Sequence, residues 1–200
     1  MEGEAELRRA DLAPEPLDQF RAWFAEAAAV VATPEAMALA TATPGAAPSV
    51  RMVLLKGYDE HGLVFYSHYT SRKGRELEAN PQAALLFHWS PLGRQVRVEG
   101  TVERVSSEES DAYFATRPRE AQLGAHASRQ SEPLASRDRL DERLAELDFD
   151  GPVPRPATWG GFLLAPEAWE FWQHRASRLH DRFRYELDPP GGWRIERLFP

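Results

Sequence analysis

Arg178-Leu179-His180-Asp181-Arg182-Phe183-Arg184-Tyr185 is the run of this sequence with the most informative local geometry. Read as a strand, its side chains alternate. Arg178, His180, Arg182 and Arg184 then share one face, while Leu179, Phe183 and Tyr185 take the other. Three guanidinium groups and an imidazole side by side repel unless an anion lies among them. The run therefore points either to a phosphate-bearing ligand or to an edge strand with its charged face in water. Asp181 falls across from that face and is free to make an unrelated ion pair.

Ser71-Arg72-Lys73-Gly74-Arg75 is a second candidate, at a predicted helix start. Free N–H groups and the helix dipole favour an anion there, and cations are otherwise misplaced at that end, so the choice lies between phosphate binding and a solvated turn. Arg51-Met52-Val53-Leu54-Leu55-Lys56 puts cations at both ends of an apolar strand. Alternation sends positions 51 and 56 to opposite faces, so one shared ligand requires a bulge or a twisted strand end; snorkelling into solvent is the plain alternative. Of 24 cationic residues only Lys56 and Lys73 are lysine, which marks them as places where a compact ammonium is wanted or as chance survivors. Trp159, Trp169, Phe171 and Trp172 can pave a wall for a flat ring or simply fill the core.

Other chemistries lack support. The histidines have no metal-ligand spacing, so no bound metal is expected. There is no cysteine, which excludes thiolate catalysis and disulfides and leaves redox work to a cofactor. No GxSxG, GxxxxGK[ST] or GxGxxG is present. A net charge of −7 argues against a broad nucleic-acid surface. No apolar run is long enough to span a bilayer, and the N-terminus lacks the pattern of a signal peptide, so a cytoplasmic location and no membrane partner are expected.

The elements that must hold these residues follow from periodicity. Leu17, Phe20, Trp23, Phe24, Ala27 and Val31 recur at helical spacing. AMALATAT, SVRMVLLKG and LVFYSH read as three strands in series, an antiparallel meander. Ser71 caps a helix to Asn80, and QAALLFHW and RQVRVEGTVERV add two strands. Ser106 and Glu109 open a helix ended by Arg117-Pro118, and Leu140, Leu144 and Leu147 mark another over 136–148. After a proline-rich connector come WGGFLL, AWEFWQ, RLHDRFRYEL and WRIERL as strands. The expected fold is mainly β with peripheral helices (α+β), a partly closed antiparallel barrel in one domain over 1–200, with a flexible lead over 1–15.

Taken together, DLAPEPLDQFRAW, RMVLLKGYDEHGLVFYS, SRKGRELEANP, RQVRVEG, YFATRPREAQLGA, SRQS, WGGF, EFWQ and RLHDRF, in this order, resemble the pyridoxamine 5′-phosphate oxidase family from about residue 10 to the C-terminus. The resemblance implies an FMN-binding split β-barrel and a homodimer with FMN at the subunit interface, completed by C-terminal strands over 174–200. It places Arg51, Met52, Val53, Leu54, Leu55, Lys56, Tyr66, Ser67, Arg72, Lys73, Gln95, Gln130, Ser131, Trp172 and Arg182 around FMN. It also places Lys56, Tyr113, Arg117, Arg178, Leu179 and His180 on the substrate, with Arg178 and His180 as catalytic residues. The implied reaction oxidises pyridoxamine or pyridoxine 5′-phosphate to pyridoxal 5′-phosphate with O2 as acceptor, producing H2O2. Related barrels leave two alternatives: an FMN oxidase of another ring, such as a phenazine precursor, or a non-catalytic flavin- or haem-binding protein. Ala121 stands where the family commonly has serine, and His174 where its WQG turn has glycine.

Overall fold

The protein is described here by a computed structural model covering residues 6–188 and 191–200. Helix α1 (Pro16–Val30) starts with proline at its first position, where the missing N–H costs nothing, and buries Phe20, Trp23 and Ala27. Phe20 is the centre of an aromatic cluster with Tyr58, Phe87, Trp89 and Trp169, at ring separations of 5.1–6.1 Å. That cluster anchors the helix to the sheet by apolar burial.

The strands among the described residues are β1 (Ala36–Ala42), β2 (Pro48–Leu54), β3 (Gly57–Tyr58), β4 (Leu63–His68), β5 (Gln82–Trp89), β6 (Arg94–Arg104), β7 (Trp159–Gln173), β8 (Asp181–Leu187) and β9 (Trp193–Arg197). They form one antiparallel sheet in the order β2-β1-β5-β6-β7-β4-β3, with β8 on β7 and β9 on β8. Of the meander expected from β1, β2 and β4 only the first pair forms: β2 pairs with β1, whose other side takes β5, and β4 crosses to β7. Short-range patterning specifies strands but not distant partners, and this is where the order departs from the sequence reading. The sheet curls into a split half-barrel, and Lys56 N donates to Val64 O at 2.8 Å where its two ends meet.

WGGFLL and AWEFWQ, expected as two strands, are one. The 15-residue β7 runs the length of β6, pairing with β4 by its first half and β8 by its second. A bulge at Glu99/Gly100 bends it. A side chain at Gly100 would lie 2.0 Å from Ala165 O, so the close approach requires glycine.

Among the described residues five α-helices surround the sheet: α1, α2 (Arg72–Ala79), α3 (Ser107–Thr116), α4 (Arg119–Ala127) and α5 (Arg137–Ala145). Helix α3 ends at Thr116 with Arg117 as its C-cap, as the Arg117-Pro118 stop required, but helix α4 has no counterpart in the sequence reading: Pro118 is also the N-cap of a second helix. The leucine face of α5 is only half-buried, and no residue of that helix is fully buried. Of the lead expected over 1–15, residues 1–5 lie outside the described residues. Leu7 and Leu12 are buried, and Leu7 N donates to Asp181 Oδ2 at 3.1 Å, so the lead is pinned to the sheet at these two leucines. No described helix is long and apolar enough to cross a membrane.

Candidate functional site

A cavity of about 660 Å³ opens where β2, β4, α2, α3 and α4 converge. Met52, Val53, Leu54, Lys56, Tyr66, Ser67, Lys73, Tyr113, Arg117 and Gln130 all line it, together with His68, Ala121 and Trp159. Lys56, Lys73 and Arg117 bring three cations to this lining, and no carboxylate belongs to it. Positive charge gathered in a cavity whose lining holds no counter-ion is the electrostatic signature of an anion site.

Lys73 shows the strain of that excess. Ser71 caps α2 by accepting from Gly74 N, which sets Lys73 in the first turn with its side chain turned inward. The buried ammonium donates to Gln130 Oε1 at 2.8 Å and Ser67 Oγ at 3.0 Å. Burial, aided by the charge of Arg51, pushes its pKa down to about 8. Arg117, just beyond α3, holds its Cζ 4.6 Å from the Trp159 ring centroid, and its buried Nη1 has no hydrogen-bond partner. Burial lowers its pKa, and that of His68 as well, with Lys73 adding to the effect on His68. An oxyanion would satisfy both Lys73 and the orphaned nitrogen of Arg117.

Aromatic rings form one wall. Tyr66 stacks on Tyr113 at 3.9 Å and on Trp159 at 5.4 Å. Gly161 makes room for this stack, since a Cβ there would lie 2.8 Å from the Tyr66 ring. Burial and the nearby Glu109 carboxylate push the Tyr66 hydroxyl up to about 12, so it stays protonated.

Arg51, Leu55 and Arg72 stand behind this lining. Leu55 is core. Arg51 is turned away from Lys56, as alternation required, and donates to Leu39 O, Thr41 Oγ1 and Ser49 Oγ. Both arginines meet Glu76, Arg72 at 2.9 Å and Arg51 at 3.3 Å. Burial alone would raise the Glu76 carboxyl, but hydrogen bonds from Ser49, Thr41 and Arg72 outweigh it and hold the group down at about 2. Sequence reasoning missed Glu76, although its position one helical turn after Arg72 was the available signal.

Gln95, Trp172, His180 and Arg182 assemble elsewhere. Gln95 faces Trp172 across β6 and β7, Trp172 faces Arg182 across β7 and β8, and the His180 ring lies 4.5 Å from Trp172. The strand expected to carry Arg178 and His180 begins only at Asp181. Before it, Ser177 and Arg178 take φ of 59° and 63°, forming a turn in which Leu179 N donates to Ala176 O. Arg178 and Leu179 are exposed there, and the four-membered face reduces on the strand to Arg182 and Arg184. The anions between those two are carboxylates of the protein: Arg182 pairs with Glu170 at 2.8 Å and Arg184 with Glu99 at 3.3 Å. Asp181, on the opposite side, pairs with Arg175 and Arg197. Trp169 and Phe171 are core, whereas Trp159 and Trp172 mark the two ends of β7. Ser131, at φ 74°, lies beside Gln130 in a neighbouring pocket.

Within one chain these two groups lie at opposite ends of β7. A strand of 15 residues spans on the order of 40 Å at ~3.3 Å per residue, so Trp159 and Trp172 are held far apart.

Comparison with known proteins gives a consistent picture. Residues 24–150 match the family model described as Pyridoxamine 5′-phosphate oxidase, and residues 159–200 that of the Pyridoxine 5′-phosphate oxidase C-terminal dimerisation region. A Rubrobacter xylanophilus protein named pyridoxine/pyridoxamine 5′-phosphate oxidase is 60% identical, over 98% of this chain and 94% of its own. A Gluconobacter oxydans protein of the same name is 56% identical, over 95% and 96%. Among solved structures, PhzG from Burkholderia lata in complex with tetrahydrophenazine-1-carboxylic acid superposes with a TM-score of 0.89 at 33% identity, over 99% of this chain and all of its own. An FMN-binding protein from Nostoc punctiforme shares the fold at a TM-score of 0.76 and 17% identity, over 94% of this chain.

Proposed function

This chain belongs to the pyridoxamine 5′-phosphate oxidase family, and from that premise we propose how its residues serve a flavin-dependent oxidase of pyridoxamine and pyridoxine 5′-phosphates. The flavin is FMN. The observation that carries this reading is the cavity of three cations without a carboxylate, containing a buried ammonium and an unpartnered guanidinium nitrogen. These residues fit a phosphorylated cofactor and a phosphorylated substrate side by side.

Lys73, with Arg51 and Arg72 behind it at the start of α2, holds the cofactor phosphate, where the free N–H groups of the helix add to the field. Met52, Val53, Leu54, Leu55, Tyr66, Ser67, Gln130 and Ser131 surround the flavin and its chain. Lys56, Tyr113 and Arg117 hold the substrate phosphate. Oxidation at C4′, with O2 as final acceptor and H2O2 and pyridoxal 5′-phosphate as products, is the chemistry the flavin supplies when bound. The protein supplies orientation and exclusion of water.

Gln95, Trp172, Arg178, Leu179, His180 and Arg182 reach the same site from a second protomer. The placement of Trp159 and Trp172 at opposite ends of β7 favours this, and the dimerisation-region match over 159–200 supports it. Val50, Met52 and Leu54 form an exposed apolar row on edge strand β2 that a partner covers. Arg178 orients the pyridine ring, and His180 binds beside it or moves a proton. His180 Nδ1 accepts from Arg175 N at 3.2 Å, leaving Nε2 for the ligand.

The test is an anaerobic titration of flavin-loaded protein with pyridoxamine 5′-phosphate, followed by air. Bleaching of the visible band and its return are expected. A flavin that stays oxidised with this substrate, yet bleaches with a reduced phenazine precursor, overturns the substrate assignment; failure to bind FMN overturns the cofactor assignment.

A further inference from the structure

Lys56 and Lys73 are the only lysines of the chain, and both line one cavity. Apart from the amino terminus, every primary amine of this protein therefore faces the space in which, on the reading above, an aldehyde is made. The two amines are not alike. Lys56 is exposed at the cavity rim, whereas Lys73 is buried and held in place by Gln130, Ser67 and, at 3.4 Å, Ser71. All of these partners are neutral oxygens. Nothing among them fixes the proton on Nζ as a carboxylate would.

We infer that in protomers lacking flavin Lys73 captures the product, a phosphorylated pyridine aldehyde, as an imine, so that the seat of the cofactor phosphate doubles as a covalent product site. This rests on the proposed function, because it needs the aldehyde to be present and the flavin to occupy the same seat. The step balances without an oxidant or reductant. The Nζ lone pair forms the bond to the aldehyde carbon, and the carbonyl oxygen leaves as water with both Nζ protons. Lys56 and Arg117, in the same lining, meet the aldehyde's phosphate.

Chemistry favours Lys73 over Lys56 despite its burial. Lys73 is the amine held in place by three oxygens, and only the neutral form attacks: its pKa, lowered to about 8, leaves roughly one-quarter of it neutral at pH 7.5. Arg51 supplies part of that lowering, and Ser67 Oγ lies 3.0 Å from Nζ to relay a proton. In the loaded protomer the cofactor phosphate would keep Lys73 protonated and shielded. Flavin occupancy and capture of the aldehyde are then mutually exclusive.

The experiment treats the full-length protein, flavin-stripped and FMN-saturated, with pyridoxal 5′-phosphate, reduces with borohydride and maps the modified peptide by mass. The expected result is a single adduct on Lys73 in stripped protein, suppressed at least ~10-fold by saturating FMN. It should be absent from Lys73→Arg and retained in Lys56→Arg, with circular dichroism confirming that both variants fold. Modification confined to Lys56 or the amino terminus overturns the inference, as does equal labelling of Lys73 with and without FMN. Oxidase activity of the loaded wild type is measured alongside: its absence rejects the proposed function, whereas normal turnover without an adduct rejects the capture alone.

Discussion

The Lys73 ammonium donates to Gln130 Oε1 at 2.8 Å, which ties the first turn of α2 to the loop after α4 through a buried charge that has no carboxylate partner. A charge so placed lowers the stability of the empty protein and raises its appetite for an anion.

That arrangement sets a pH dependence. Lys73 titrates at about 8 in the folded protein but at 10.5 when unperturbed. Between those values the unfolded chain binds the proton and the folded one does not, so for this group stability of the empty protein rises with pH from about 8 to 10.5. Cofactor binding at the proposed phosphate seat has the opposite sign, because a phosphate there needs the charged amine. The increase in melting temperature on adding FMN should therefore shrink as pH rises from 7 to 9.5. A constant or growing increment would show that Lys73 does not bear on the phosphate.

Arg117 is expected to matter for substrate far more than for folding. Its Nη1 is unpaired, so Arg117→Met removes a buried charge that the empty protein does not satisfy. Melting temperature should be maintained, while KM for pyridoxamine 5′-phosphate rises about 10–100-fold, the loss of one charge-assisted hydrogen bond of ~1.5–3 kcal/mol. Steady-state oxygen uptake and a thermal melt read the two quantities.

Arg178 stands exposed in a left-handed turn outside the strand. Arg178→Ala should leave the melting temperature within about 2 °C, as surface substitutions do. Turnover should fall at least ~10-fold if the side chain orients the ring. Unchanged turnover would remove Arg178 from the site.

Subunit mixing tests the shared site directly. Lys56→Ala and Arg178→Ala damage opposite halves, so a dimer of one of each holds one intact site and one doubly damaged site. Unfolding and refolding an equal mixture should restore about one quarter of wild-type activity, since half the dimers are mixed. Activity no greater than that of the separate variants would place both residues in one protomer's site.

Much of this was legible in the sequence, and the failures have physical causes. The positions of β1, β2 and β4 follow from two-residue alternation and turn residues, but their partners are set by long-range pairing that no local pattern encodes. Ser71, Arg72 and Lys73 were readable because capping and helix polarity are local. The RLHDRF alternation continued a strand through Arg178 where the chain actually turns, because Ser177 and Arg178 adopt positive φ without a glycine to announce it. Helix α4 was hidden because the proline that ends α3 also caps the next helix. Glu76, one helical turn after Arg72, was overlooked, yet it is the hub on which two arginines are hung.

Strand β7 carries Trp159 at one end and Trp172 at the other, with the Glu99/Gly100 bulge between. It acts as a gauge bar whose length and handedness are both specified. Inserting or deleting one residue near Pro166, remote from either tryptophan, would turn one end over relative to the other, because side chains in a strand alternate. Such a change would disable the centres on both sides of the dimer while leaving every residue that touches a ligand in place. The middle of this strand thus tolerates substitution in outward-facing side chains but no alteration in count.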